Sequence, residues 1–165
     1  MSDKYEKYRL LAYQVPPIRQ STPTTCWAAC IAWWAKATGG GRPQMTQEQA
    51  YFKYAHLSDE DNRMSRANLA QILNDPIWKA TAELITGPRD LGKNYFLRRL
   101  ESGPMIIGYR DALYGDGHVN VGIAPSISHP DDMIVMEPWT GMTTHKGYGK
   151  YTSLSSKLVI AWPRG

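Results

Sequence analysis

A cysteine stands where a polar loop meets an apolar, helix-forming stretch. Residues 20–38 read QSTPTTCWAACIAWWAKAT, with neither Gly nor Pro after Cys26 and with apolar residues on every side. The pattern predicts a helix that begins at Cys26 and is buried all round. Unpaired N–H groups and the positive end of the helix dipole favour a thiolate there, and the thiolate is the nucleophilic form. Cys26 is therefore a candidate nucleophile.

The alternative interpretation is that Cys26 is a small core residue, since free cysteines are among the most buried residue types. Cys30 fits that interpretation, because it lies one turn further into the apolar body of the helix. Cys26 differs in its surroundings. Gln20 lies six residues upstream, where its side-chain amide could direct an N–H at an oxyanion that forms beside the cysteine.

The segment VPPIRQSTPTTCWAAC resembles the papain-like cysteine peptidases, especially their compact bacterial forms, the double-glycine leader peptidases and the secreted effector proteases. The resemblance implies that Gln20 and the Cys26 N–H form an oxyanion hole, that a later histidine is the general base and that an Asn or Asp orients it. The chain departs from the plant and lysosomal enzymes, whose cysteine follows Cys-Gly-Ser or Cys-Gly-Ala, because Thr24-Thr25 stand here.

Histidines are the candidates for the base, and the chain has four: His56, His118, His129 and His145. His118 follows a Gly-Asp-Gly turn at the start of the predicted strand GHVNVGIA, where a side chain can face a cleft. The family's histidine likewise follows a Gly at a strand start, so His118 is its counterpart. His129 and His145 lie in turn-like segments and are expected to be exposed, while His56 closes a predicted helix.

The third residue is expected from the next strand, where it would accept the histidine N–H and fix the tautomer. Glu137-Pro138-Trp139 resembles the family's Asn-Ser-Trp-Gly and Asp-Pro, so Glu137 is the expected orienting residue and Trp139 can shield the pair from water. Glu is one methylene longer than Asp, so Asp131 and Asp132 remain alternatives. Both lie in a turn, where Asp is expected for its own backbone hydrogen bonds.

Helices are predicted first along the chain and strands afterwards. After a strand-like segment at 8–15, helices are expected after Thr46, after Ser65 and over 91–100. The later runs PMIIGYR, GHVNVGIA, DMIVMEPW and KLVIAWP predict an antiparallel sheet, with a surface loop at 143–151. This segregation is typical of an α+β domain, and a central cysteine helix packed on a C-terminal sheet is what the papain-like resemblance implies.

Composition limits the remaining classes of function. A chain of 165 residues with 42% hydrophobic residues is expected to form one domain over 1–165. The net charge of +4 is dispersed, which disfavours nucleic-acid binding, and no apolar stretch is long enough to span a membrane. Two cysteines in one helix and scattered histidines offer no tetrahedral ligand set, so neither a metal nor another cofactor is expected.

The predicted function is a papain-like cysteine endopeptidase that acts on a protein substrate through Cys26, His118, Glu137 and Gln20. Alternatives are an amidase, deamidase or transglutaminase on the same scaffold, a leader-trimming peptidase, or a binding domain that has lost catalysis. The N-terminus is polar and no prosegment precedes Gln20, so we expect a bacterial effector toxin that a specialised system exports into the cytoplasm of a target cell. A cognate immunity protein is expected to cover the Cys26 cleft, near Trp139 and Tyr148.

Overall fold

The computed structural model of the chain describes residues 3–88, 91–111, 113, 115–153 and 157–164. Within them it has the predicted α+β architecture. The α-helices are α1 Glu6–Gln14, α2 Cys26–Thr38, α3 Gln47–Tyr54, α4 Arg66–Leu73, α5 Lys93–Leu100 and α6 Gly149–Thr152, with 3₁₀ turns at Ala55–Leu57 and Pro76–Trp78. The strands are β1 Ala80–Thr86, β2 Met105–Asp111, β3 Gly115–Pro125, β4 Asp132–Glu137, β5 Met142–Gly147 and β6 Lys157–Pro163.

The six strands form one antiparallel sheet in the order β1-β6-β2-β3-β4-β5. Successive side chains of a strand point to opposite faces, and the sheet is apolar on both. Val119, Val121 and Ile123 of β3 pack in the cluster that contains α2. Ile107 and Tyr109 of β2 belong to a second cluster on the other face, built with α5 and α6. Helices therefore cover both faces of the sheet.

Helix α2 is the centre of the first cluster, as predicted from its composition. All ten residues from Cys26 to Ala35 are buried. The three tryptophans satisfy their indole N–H groups on backbone carbonyls, since Trp27 donates to Asn62 O, Trp33 to Val15 O and Trp34 to Pro104 O. A buried indole N–H without a partner would destabilise the fold, so these bonds fix the orientation of α2 and with it the position of Cys26.

Two sequence predictions of secondary structure are wrong. Residues 8–15, predicted as a strand, lie mostly in helix α1, which ends before Val15. Its sequence EKYRLLAYQ contains no β-branched residue and several strong helix formers. Residues 143–151, predicted as a surface loop, form most of β5 and all but the last residue of α6. Strand β5 lies at the sheet edge with little burial, so its sequence MTTHKG lacks apolar alternation.

The helices in the described part of the chain are short. The longest of them, α2, has 13 residues. No described helix combines the length and the apolar character needed to cross a bilayer.

Candidate active site

Cys26 is the first residue of α2, as the sequence predicted. The preceding loop is held by its own hydrogen bonds, because Thr22 N donates to Thr25 Oγ1 at 3.2 Å and the two hydroxyls lie 2.9 Å apart. The loop is also tied to the end of β4, where Gln20 N donates to Pro138 O at 2.8 Å. Thr25 makes no side-chain hydrogen bond to the helix N-terminus, although threonine is a common helix-capping residue.

Cys26 and His118 line the same cavity, which has a volume of about 230 Å³. Its other walls come from the loop before α2, from α4 and from Trp139 after β4. Cys26 is 6% exposed and His118 is 3% exposed, so both side chains sit at the base of the cavity and not on its rim. Two residues far apart in sequence thus meet where α2 begins and β3 passes beneath it.

His118 is hydrogen-bonded to Glu137, with 2.7 Å between Nε2 and Oε2. Glu137 Oε2 also accepts the backbone N–H of Trp139 at 3.0 Å. Asp132 begins β4 whereas Glu137 ends it, which separates their backbones by about 17 Å along the strand. Of the carboxylates considered from the sequence, the structure therefore brings Glu137 to His118, and leaves Asp131 and Asp132 at the far end of β4.

The Glu137 carboxyl is held in its charged form. Burial is the largest single influence and would raise its pKa, but the hydrogen bond and charge of His118 and the N–H groups of Trp139 and Asn120 together outweigh it. The net result is a pKa below the ordinary value of a glutamate. The carboxylate on Nε2 directs Nδ1 to the opposite side of the ring.

The Cys26 thiol is held in its neutral form in the free protein. Burial raises its pKa to about 12, although backbone hydrogen bonds from Val119 and Trp27 act in the opposite direction. The nearby charge of Glu137 raises the pKa further. The expectation that the helix start favours a resting thiolate is therefore wrong for this buried position, because desolvation is the largest influence on the pKa of the thiol. A base must remove the proton for Cys26 to act.

Gln20 lies beside the Cys26 cavity. It lines an adjoining surface depression, and Pro23 and Trp139 are common to the walls of both. Its Nε2 donates to Thr22 O at 2.8 Å, which uses one of its two N–H groups. Its Oε1 is buried and has no hydrogen-bond partner among the described residues. Gln20 thus lines the adjoining depression and not the Cys26 cavity itself, with one side-chain N–H committed to its own loop, and its role as an oxyanion donor stays a prediction.

Asn120 was not identified from the sequence, yet it links the site to the core. Its Nδ2 donates to Glu137 Oε1 at 2.9 Å. Its Oδ1 accepts the hydroxyls of Tyr109 at 2.8 Å and Tyr151 at 3.1 Å. Burial raises the pKa of both tyrosines, so each remains a donor. The signal that could have indicated Asn120 is its position two residues after His118, on the same face of β3.

Two aromatic residues expected at the cleft have different locations. Trp139 lines the cavity and is 40% exposed, as predicted. Tyr148 is buried and packs on Phe96, with 5.7 Å between ring centroids, in the cluster on the other face of the sheet. The prediction for Tyr148 is wrong, because residue 148 follows an unpredicted strand that leads the chain away from the cavity. His129 and His145 are exposed, as predicted, and His56 is exposed as well.

No protein-family model matches the chain. No curated protein matches it in sequence. Among solved structures, the fold is similar to the peptidase domain of Streptococcus ComA, a bifunctional ABC transporter involved in a quorum sensing pathway. That match has a TM-score of 0.58 and 16% identity, over 91% of this chain and 99% of the other. The predicted resemblance to compact bacterial papain-like peptidases is thereby confirmed at the level of the fold.

A weaker match is to a periplasmic domain of the EpsAB fusion protein of the Vibrio vulnificus type II secretion system. Its TM-score is 0.37 at 12% identity, over 71% of this chain and 45% of the other. We draw no conclusion from a similarity at that level.

Proposed function

We propose that this chain is a cysteine peptidase that hydrolyses a peptide bond in a protein substrate. The observation that carries the proposal is the meeting of Cys26 and His118 in one cavity, with His118 Nε2 bound to the Glu137 carboxylate. A nucleophile, a base and an orienting carboxylate in this order are the parts that acyl transfer requires. The likeness in fold to a peptidase domain supports the same conclusion.

In the proposed reaction, His118 Nδ1 takes the Cys26 proton as Sγ attacks the substrate carbonyl carbon. The oxyanion of the tetrahedral intermediate accepts hydrogen bonds from the Cys26 backbone N–H and from the second N–H of Gln20. His118 then donates its proton to the leaving amine as the C–N bond breaks, which leaves a thioester. Water attacks the thioester, with His118 again as base, and releases the carboxylic acid and the thiol.

Glu137 acts through His118 in this scheme. Its low pKa keeps it ionised, so that it stabilises the imidazolium that forms when His118 takes the thiol proton. This stabilisation matters because the pKa of Cys26 is raised by burial, which makes a preformed thiolate unfavourable.

A mixture of peptides derived from a bacterial proteome tests the class of reaction. Hydrolysis of the peptide backbone gives new termini, whereas a side-chain amidase or deamidase changes the mass without cleavage and a transglutaminase joins two peptides. We expect cleavage by wild type and by Cys30→Ala, and none by Cys26→Ala. Mass changes without cleavage would contradict the peptidase proposal and indicate an amidase, deamidase or transglutaminase.

We further propose that the peptidase is a bacterial effector toxin, exported by a specialised system and active on a cytosolic protein of the target cell. A small immunity protein would restrain it by covering the Cys26 cavity, where the half-exposed Trp139 offers an aromatic anchor at the rim. Expression in the bacterial cytosol should arrest growth when Cys26 is intact, and export to the periplasm should be less harmful. Harmless cytosolic expression of a protein active on peptides would refute the toxin role alone.

The second candidate is a processing peptidase that trims leader peptides. Its support is the similar fold of the ComA peptidase domain, which belongs to an ABC transporter. Cleavage sites distinguish the two candidates. A processing enzyme should cut after a Gly-Gly pair in the peptide mixture, whereas a toxin should cut folded cytosolic targets at other sequences.

A further inference from the structure

Three side chains that bind metals in other proteins meet at the edge of the sheet, away from the Cys26 cavity. The ligand atoms of His129, Asp132 and His145 all lie within 4.8 Å of one another. The two imidazole rings have centroids 4.8 Å apart. Both histidines are exposed and Asp132 is partly exposed. In the part of the chain that the structure describes, this is the one group of three such residues.

The backbone explains why Asp132 and His145 are neighbours. Ile134 of β4 pairs directly with His145 of β5, so these two side chains share a face. Asp132 lies two residues before Ile134 and points to the same side, which makes it the diagonal neighbour of His145. Regular strand pairing holds this arrangement, because the register runs unbroken from Asp132 with Gly147 to Glu137 with Met142.

His129 is brought to the pair by the tight turn between β3 and β4. Asp132 N donates to His129 O at 2.9 Å, and His129 N donates to Ser126 Oγ at 3.0 Å. His129 Nδ1 lies 2.9 Å from Ser128 Oγ. When Nδ1 donates its proton to that hydroxyl, the lone pair resides on Nε2, and such a bond on the second nitrogen is the usual support of a metal-binding histidine.

We propose that His129, Asp132 and His145 bind a divalent transition-metal ion of the zinc type. Two imidazoles and one carboxylate suit Zn²⁺, Ni²⁺ or Co²⁺, whereas Mg²⁺ and Ca²⁺ require mainly oxygen ligands. Ligand distances of about 2.0–2.2 Å require the three atoms to approach one another by about 1 Å. Small rotations of the exposed side chains supply that movement, and water completes the coordination.

The sequence prediction that the histidines are too scattered for a metal site is therefore revised for His129 and His145. The site is separate from the proposed chemistry, because Asp132 and Glu137 lie at opposite ends of β4. A bound ion would cross-link the β3–β4 turn to β5, which is an edge strand with a single neighbour. Metal binding should therefore stabilise the folded chain, since an ion that binds only the folded state raises its stability.

The test uses untagged Cys26→Ala protein, so that zinc cannot bind the catalytic thiol. Calorimetric titration with Zn²⁺ should show one ion per chain, and zinc should raise the unfolding temperature. Adding His129→Ala or His145→Ala should abolish both effects, whereas His56→Ala, which removes another exposed histidine, should change neither. Ser128→Ala should weaken binding by about tenfold or more.

Co²⁺ provides a second measurement that does not depend on the unfolding transition. The visible absorption of bound Co²⁺ should appear with Cys26→Ala protein and disappear in the double variant with His145→Ala. Absence of binding by Cys26→Ala protein, or equal affinity with and without His129 and His145, would overturn the proposal.

Discussion

His118 Nε2 lies 2.7 Å from Glu137 Oε2, and the two buried side chains join β3 to β4 at the base of the Cys26 cavity. The bond determines which imidazole nitrogen is directed away from the carboxylate. It also provides a counter-charge for the imidazolium that forms when His118 takes a proton. The proposed chemistry depends on this pair, because burial keeps the Cys26 thiol neutral at rest.

Replacement of Glu137 should reduce activity less than replacement of His118. Both substitutions should lower kcat, and we expect the fold-reduction in Glu137→Ala to be about 10² times smaller than that in His118→Ala. The reason is that packing and water partly replace an orienting carboxylate. Asp131→Ala is the matched control and should resemble wild type. The measurement is kcat for Glu137→Ala, His118→Ala and Asp131→Ala, from steady-state kinetics with one peptide that wild type cleaves. An inactive Asp131→Ala beside a fully active Glu137→Ala would identify Glu137 as the wrong carboxylate.

Asn120 should affect both stability and the pH profile. Asn120→Ala removes a donor from Glu137 Oε1 and an acceptor from Tyr109 and Tyr151, each of which is buried. We expect a loss of about 1–3 kcal/mol in the free energy of unfolding. The pKa of Glu137 should rise because its charged form loses a donor, so the acidic limb of kcat/KM should move to higher pH. A role confined to packing predicts the loss of stability with an unchanged pH profile.

Cys26 and the histidine position were predictable because their signals are local. A polar loop followed by an apolar run predicts a buried helix start, and a glycine turn before alternating residues predicts a strand start. Glu137 was predictable from its place in the next strand. The role of Asn120 was not predictable, since its partner Tyr151 lies 31 residues away in a helix that the sequence does not predict.

The strand at the edge of the sheet, β5, was also not predictable from local sequence signals. Strand β5 is exposed and polar, so its sequence carries none of the apolar alternation on which strand prediction depends. The proximity of Asp132 and His145 follows from the β4–β5 register, which no single-sequence pattern contains. Helix α1 was misassigned for a different reason. Its Leu and Tyr residues suit either structure, and helix propensity decided between them.

Gln20 should contribute to turnover more than to stability. Gln20→Ala removes the proposed oxyanion donor, so kcat should fall by roughly 10²-fold or more while KM changes little. Gln20→Glu keeps the shape of the side chain without its N–H groups and should show a similar loss. Gln20 Nε2 also donates to Thr22 O, so each substitution removes a hydrogen bond within the loop. The unfolding temperature of each variant shows whether that loss destabilises the fold. Near wild-type kcat in both variants would exclude Gln20 from the oxyanion hole.

The Cys26 thiol should react in a manner that reflects its raised pKa. A small alkylating agent should label Cys26 before Cys30, because Cys30 is fully buried and donates to Val119 O. The rate should be low at neutral pH and should still be rising above pH 9, since burial raises the pKa of Cys26 to about 12. A plateau reached by about pH 7 would instead indicate a preformed thiolate.

Proteome-wide mapping of new protein N-termini tests the proposed peptidase activity most directly. Bacteria that express wild type would be compared with bacteria that express Cys26→Ala, with Cys30→Ala as the matched control and with the folding of each purified variant verified. We predict a defined set of new N-termini in wild-type and Cys30→Ala cells that is absent from Cys26→Ala and His118→Ala cells. The same N-termini in Cys26→Ala cells, or no new N-termini in wild-type cells, would contradict the proposal that Cys26 is a peptidase nucleophile.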